Sequence, residues 1–364
     1  MRVLHAYKDV WPPVAGGIER HVDLLRRHRP AGVLVGARAR RGSVVLTPHG
    51  SERRVGELAR VWSVPLAPAY PVHLARARAD VIHLHSPNPI GELSALLARP
   101  AAPLVVSVHA DIVRQAAALP AYCRLMRALL DRSAAVITGS EGIRESSPLL
   151  EGHRDRARVI PYGIDTDFLS PGAAGPQTVA ALRRRYGAPL VICVGRLVYY
   201  KGFDELVAAV SDLDASLVIV GSGPLEAHVA ALAAAHPRVF ATGHLADDEL
   251  RAHLAAADVF TLASTSRAES FGVATIEAQA MGLPAVVTDT GSGTLETIAD
   301  GRTGLAVPAR DVGALREAIA DLLADDARRA AMAIAARDRA VERFGAGRMA
   351  RDVAAVYEDA LRGR

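Results

Sequence analysis

Short apolar runs rich in β-branched residues alternate with amphipathic stretches along this chain. The pattern stops once, between Tyr162 and Gln177, and then starts again. In the first half the runs fall at residues 3–6, 33–35, 44–47, 81–85, 104–108, 136–138 and 159–161, with helical periodicity at 18–29, 90–99 and 121–132. In the second half they fall at 190–194, 217–220, 239–242, 259–262, 285–288 and 305–307. Helical stretches at 204–211, 225–235, 247–256, 276–281 and 312–323 separate them. Strands interleaved with helices specify parallel sheets wrapped by helices, an α/β architecture. The interruption is rich in Gly, Pro and Asp, which predicts a linker. Two doubly wound parallel-sheet domains are therefore expected, residues 1–172 and 173–345, facing each other across a cleft. Ligands of such sheets bind outside the carboxyl ends of the strands. The 364 residues also exceed what one hydrophobic core usually holds. Residues 327–361 read as two Ala/Arg-rich helices joined near Phe344-Gly345.

Composition removes several classes. With 50% hydrophobic and 23% charged residues the chain is ordinary globular protein, not a disordered one. No apolar stretch reaches eighteen residues, so no membrane-spanning helix is expected. The first residues lack the apolar core and cleavage site of a signal peptide. Cys123 and Cys193 stand far apart in apolar contexts, which predicts buried thiols and neither a disulfide framework nor a zinc site. A cytoplasmic protein is the expectation. Charge is uneven: residues 1–172 carry 23 Lys+Arg against 15 Asp+Glu, and residues 173–364 carry 20 against 24. A basic first half suits an acidic partner such as a phospholipid surface, a lipid diphosphate or a nucleic acid, although scattered solvated arginines explain it equally well.

Four constellations carry chemistry. Only two lysines occur, Lys8 and Lys201, against forty-one arginines. Lys201 stands five residues after Arg196 in a loop that follows the apolar run 190–194, with Gly195 and Gly202 on either side. Two cations at a strand end would neutralise a diphosphate, while a solvated loop without a ligand is the alternative. Glu269 and Glu277 are eight apart around Ser270-Phe271-Gly272-Val273, where backbone N–H groups are free at a helix start. A carboxylate only accepts hydrogen bonds and suits sugar hydroxyls. Glu277 could hold a ribose diol and Glu269 a hexose, or both could be unrelated surface acids. Gly16-Gly17-Ile18-Glu19 opens a helix and lets backbone approach an anion, though many helices begin with Gly. His109 ends a buried strand on the side where ligands bind. His83 and His85 alternate along another strand and so share a face. Their spacing resembles metal ligands only weakly, with no nearby Cys or acid. Gly221-Ser222-Gly223-Pro224-Leu225-Glu226 fails the dinucleotide fingerprint, because Glu226 stands where Gly is required. No P-loop sequence occurs.

In this order and at these spacings the motifs resemble the retaining, nucleotide-sugar-dependent glycosyltransferases of the GT-B fold, family 4, also called glycosyl transferases group 1. The resemblance covers nearly the whole chain. It runs through Gly16-Gly17-x-Glu19, His109, Ile137-Thr138-Gly139-Ser140 and Ile160-Pro161-Tyr162-Gly163-Ile164-Asp165. It continues through Gly195-Arg196-Leu197 with Lys201-Gly202, Val220-Gly221-Ser222-Gly223-Pro224 and Glu269-x7-Glu277. It implies two Rossmann-like domains, the first binding acceptor and the second binding donor. A last helix, about 346–364, would pack back on the first domain. Arg196 and Lys201 would grip the donor diphosphate, with Gly195 and Gly221 lining the site. Glu277 would bind the ribose. Glu269 and the backbone of Phe271, Gly272 and Val273 would bind the hexose. Gly16 and Gly17 would approach the diphosphate, and His109 would contact the donor sugar.

The activity so implied is transfer of a hexose, mannose or another, from a GDP- or UDP-linked donor to a hydroxyl acceptor, with retention and without a metal. Front-side attack assisted by the leaving phosphate is expected. A lipid-linked or cell-envelope glycan is the expected acceptor. Arg114, Arg124, Arg127 and Arg132, around the apolar stretch 119–130, could dock on the inner face of an anionic membrane. A nucleotide-sugar epimerase and a non-catalytic carbohydrate-binding protein are the competing expectations. Replacing Lys201 is expected to cut turnover and leave the fold intact.

Overall fold

The structure is a computed structural model that describes residues 1–14, 16–61, 64–111 and 119–363, so Arg114 lies outside the described residues. It divides into two compact units, Met1–Gly163 with Ala346–Arg364, and Ile164–Gly345.

The first unit holds β1 (Val3–Ala6), β2 (Gly32–Gly36), β3 (Ser43–Thr47), β4 (Gly50–Val55), β5 (Ala59–Val61), β6 (Val64–Leu66), β7 (Val81–Ser86), β8 (Leu104–Val108), β9 (Ala135–Thr138) and β10 (Ala157–Val159). Eight form one sheet in the order β10-β9-β8-β7-β1-β2-β4-β3, parallel except for β3 against β4; β5 and β6 form a separate hairpin. β7 and β8 are buried along their whole length because helices cover both faces. On one face Met126 and Leu129 of helix Leu119–Asp131 join Leu84 and Val106. On the other, Met349, Val353, Val356 and Tyr357 of helix Ala346–Arg362 join Val81, Val105 and Ile137. That spacing makes one apolar stripe on the last helix, which is why it belongs to this unit.

The strand β4 is absent from the sequence expectation. Its Glu52-Arg53-Arg54 stretch reads as polar, yet Glu52 points inward and meets Arg26 at 3.1 Å, with both side chains almost fully buried. A buried ion pair thus hides the period-2 signal that an apolar residue would have supplied. The helices Tyr70–Ala75, Glu141–Ser146 and Pro176–Tyr186 also go unpredicted. The last begins inside the expected linker, with Pro176 in its first turn.

The second unit holds β11 (Leu190–Val194), β12 (Ser216–Val220), β13 (Val239–Gly243), β14 (Val259–Leu262), β15 (Ala285–Asp289) and β16 (Gly304–Pro308). All are parallel, in the order β13-β12-β11-β14-β15-β16. The order reverses between β11 and β14, the place where a doubly wound sheet opens a crevice at its carboxyl edge. Val191, Cys193, Leu217 and Ile219 pack under Leu206 and Val210 of helix Phe203–Ser211 and Leu315 and Ile319 of helix Val312–Ala324. Both units therefore have the doubly wound parallel architecture that the pattern predicts.

Candidate functional site

In the second unit the carboxyl ends of β11 and β12 cross at glycines. A Cβ on Gly221, whose φ is +143°, would strike the carbonyl oxygen of Gly195. One on Gly223 would lie 2.5 Å from the carbonyl oxygen of Leu197. The crossing is tied by Gly195 N–H to Val220 O (3.0 Å) and Leu197 N–H to Ser222 O (2.9 Å). The loop then turns into helix Phe203–Ser211 at Gly202, which is left-handed (φ +67°) and pressed against the carbonyl of Ala263 beyond β14. Two loops on either side of the strand-order reversal are thereby fixed against each other.

Lys201 and Glu269 meet there. Nζ of Lys201 lies 2.6 Å from Oε2 of Glu269, with the two side chains 9% and 11% exposed. Burial by itself would lower the pKa of the ammonium, but the adjacent Glu269 carboxylate overrides it and the net direction is upward, so Lys201 is charged at neutral pH. Glu269 also accepts from Ser264 Oγ at 3.3 Å, and its carbonyl accepts from Ser292 Oγ at 2.6 Å. A Cβ at Gly195 would stand 3.0 Å from Nζ of Lys201, so the glycine brings bare backbone beside the ammonium. Burial pushes the neighbouring Cys193 thiol up to about 11, which keeps it protonated.

Gly272 caps helix Val273–Ala280 in the left-handed region (φ +91°) and turns backbone toward the same edge, while the Phe271 ring is 2% exposed and packs edge-on to Phe344. Phe271 thus anchors the turn in the core. The helix starts three residues earlier than its periodicity suggests, because the cap and not an apolar residue sets its first turn. Glu277 is half-buried on this helix, and Arg196 is exposed. The structure therefore joins Gly195, Gly221, Lys201 and Glu269 directly. It puts Arg196, Gly272, Val273 and Glu277 on adjoining elements of the same unit.

Gly16, Gly17 and His109 belong to the first unit. Gly16 caps helix Gly17–His28, and the Glu19 carboxylate folds back over it into the space a Cβ would need; a Cβ on Gly17 would meet nothing. Glu19 is buried, and burial raises its pKa. His109 is 4% exposed, with Nδ1 2.8 Å from the Tyr162 hydroxyl and Nε2 2.9 Å from Nδ1 of His85. Nε2 of His85 continues to Nδ1 of His5 at 3.0 Å. His83 bonds Tyr357 and Ser107 instead. His85 thus has His83 beside it on the same face of its strand, ring centroids 4.1 Å apart, and gains His5, His21 and His109 from a different strand, a helix and a strand end. Spacing along one strand could not reveal the last three.

The basic helix Leu119–Asp131 spends its apolar side on the core through Tyr122, Met126, Leu129 and Leu130, leaving Arg124 and Arg127 exposed. Arg127 pairs with Glu151 at 3.3 Å, and Arg132 donates to the Leu96 carbonyl. Among the described residues no helix is long and apolar enough to cross a membrane.

Comparison with known proteins gives a consistent answer. Residues 177–339 match the model of glycosyl transferases group 1, and residues 15–168 match that of Glycosyltransferase Family 4. The chain is 31% identical over 345 residues to the D-rhamnosyltransferase WbpZ of Pseudomonas aeruginosa, covering 88% of this chain and 86% of that protein. It is 40% identical over 202 residues to the GDP-mannose-dependent alpha-(1-6)-phosphatidylinositol monomannoside mannosyltransferase of Mycolicibacterium smegmatis, covering 51% and 52%. Among solved structures, sucrose-phosphate synthase from Thermosynechococcus elongatus superposes with a TM-score of 0.84 at 21% identity, covering the whole of both chains.

Proposed function

The chain belongs to Glycosyltransferase Family 4, the glycosyl transferases group 1, and from that premise we propose that it moves a hexosyl group from a nucleoside diphosphate sugar to a hydroxyl of a cell-envelope or lipid-linked glycan. The observation that carries this reading is the Lys201–Glu269 pair at the strand-order reversal of the second unit. It presents a fixed ammonium and a fixed carboxylate side by side, suited to a diphosphate and to the hydroxyls of the sugar attached to it.

Negative charge develops on the leaving diphosphate as the glycosidic bond breaks. We assign its stabilisation to Lys201, to exposed Arg196 and to the backbone at the Gly272 helix start, with no metal ion required. Donors already fixed where charge appears contribute about 3 kcal/mol each to such a barrier. Glu277, on the helix behind that start, takes the ribose. Within the first unit, the open space at Gly17 suits approach of an anion to the N-terminus of helix Gly17–His28. His109 is assigned to the donor sugar. Retention follows when the acceptor hydroxyl attacks from the face the diphosphate leaves and passes its proton to a departing phosphate oxygen.

A GDP-linked hexose heads the donor candidates, because one relative is GDP-mannose-dependent; UDP-linked hexoses come next. A thermal-shift panel of nucleotide sugars tests the reading: the true donor raises the melting temperature well above the shift given by its sugar-free nucleotide. No shift with any nucleotide sugar would sink it. We place the reaction at the cytoplasmic face of a membrane, with exposed Arg124 and Arg127 toward anionic lipid. Vesicle co-sedimentation at low and high salt checks this, and absence of binding at low salt rejects it.

A further inference from the structure

We propose that the terminal edge of the first unit's sheet, β3 together with the β5–β6 hairpin, is the surface that inserts into an anionic phospholipid membrane. Its use in catalysis rests on the lipid-linked acceptor proposed above. Natural sheets blunt a free edge strand with charge or cover it. Here β3 ends the sheet order, and residues 38–46 are exposed without a break. Leu46 is 82% exposed and Val44 53%. Register accounts for this. Val45 stands opposite Glu52, which points inward to Arg26. Val44 and Leu46 therefore take the outer face, opposite Arg53 and Ser51, and those two are exposed as well. The hairpin continues the strip. Ala37 N–H donates to Val55 O and Glu57 N–H to Ala39 O, both at 2.8 Å, and Leu58 N–H then enters the hairpin on Leu66 O at 2.9 Å. Leu58, Val61 and Leu66 are all exposed. Exposed apolar side chains gathered along one edge mark an interaction surface.

Charge selects the occupant. Residues 37–66 hold six arginines and two acids. Both acids are buried and already paired, Glu52 with Arg26 and Arg54, and Glu57 with Arg60. Arg38 is held by buried Asp9. Arg40, Arg41 and Arg53 are exposed and have no ion-pair partner among the described residues. An apolar edge flanked by unpaired guanidinium groups suits the boundary between headgroups and acyl chains. There the leucines and valines enter hydrocarbon while the arginines meet lipid phosphate. A second copy of the chain fits worse, because pairing two β3 edges would gather both sets of unpaired arginines on one surface with no acid between them. The strip is separate from Arg124 and Arg127, whose helix follows β8, five strands away in sheet order.

The test uses the full chain and vesicles of phosphatidylcholine with or without phosphatidylglycerol, in the absence of any sugar donor. The wild-type chain should sediment with the anionic vesicles. Part of it should stay bound in about 1 M salt, where charges are screened within about 3 Å and inserted side chains are not released. Val44→Ser combined with Leu46→Ser changes two exposed side chains, so the fold and the thermal shift with donor should be unaltered. Vesicle affinity should fall about tenfold. Arg124→Gln with Arg127→Gln should keep the salt-resistant fraction. Leu46→Trp should be quenched by phospholipid brominated on its acyl chains. Absence of vesicle binding by the wild-type chain overturns the proposal, as does equal binding by the double serine variant. So does a wild-type dimer in lipid-free sedimentation velocity that the serine variant loses, which would assign the edge to a second copy. None of these outcomes touches the transferase reading, which fails instead when no nucleotide sugar shifts the melting temperature.

Discussion

Replacing Lys201 with Met should destabilise the second unit as well as slow transfer, contrary to the expectation from sequence that the fold would be untouched. The ammonium and the Glu269 carboxylate are 2.6 Å apart and about nine-tenths buried. Removing one partner of such a pair leaves the other charge stranded and costs 3–5 kcal/mol; with about a tenth of each side chain still reaching water, about 3 kcal/mol is expected. Ser264 remains as one hydrogen-bond donor to Glu269 and holds the cost at that lower end. Lys201→Met combined with Glu269→Gln leaves no charge behind and should lose only about 1 kcal/mol, about 2 kcal/mol less than the single variant. The sequence has no tryptophan between residues 164 and 345, the span of the second unit, so tryptophan fluorescence would miss the effect. Native-state hydrogen exchange on the amides of β11 and β12 reads it directly, as a fall in protection of roughly a hundredfold in the single variant. The pH sign is also fixed. The folded pKa of Lys201 is raised, so the pair's contribution is complete below the ordinary lysine value near 10.5 and is lost as pH rises through the raised value. The variant should lack that alkaline step. A change in protection below tenfold, or a double variant as unstable as the two singles added together, would refute the reasoning.

Gly221→Ala should cost about 3 kcal/mol and abolish donor binding. Its Cβ would strike the Gly195 carbonyl at a φ of +143° and push apart the loops that set Lys201. Equilibrium unfolding of the second unit and a donor thermal shift check it, and a variant with both intact would remove the crossing from the site. Glu277→Ala should weaken binding of the nucleoside diphosphate about tenfold, the loss of one charge-assisted hydrogen bond. Unchanged affinity by calorimetry would take Glu277 away from the ribose.

Much of the site was legible in sequence because its parts are local. A Gly-rich turn after an apolar run, two cations five apart and two acids eight apart each lie within one loop or one helix start, where backbone geometry follows from the residues themselves. The doubly wound plan was legible for the same reason, since strand and helix periods are properties of neighbours in the chain. β4 was not, because its inward residue is Glu52 and only the distant Arg26 makes a buried carboxylate tolerable there.

Tertiary structure alone decided which of these parts act together. Lys201 and Glu269 are sixty-eight residues apart, and their local motifs point to separate tasks; the reversal of strand order between β11 and β14 makes them one ion pair. The histidine cluster is the stronger case. His5, His21, His85 and His109 come from two strands, a helix and a strand end, so no spacing along the chain records their meeting. A hydrophobic period is written in neighbouring residues and survives any packing. A polar cluster exists only where sheet order and helix placement bring remote side chains within a hydrogen bond of one another, and that is settled by the folded chain.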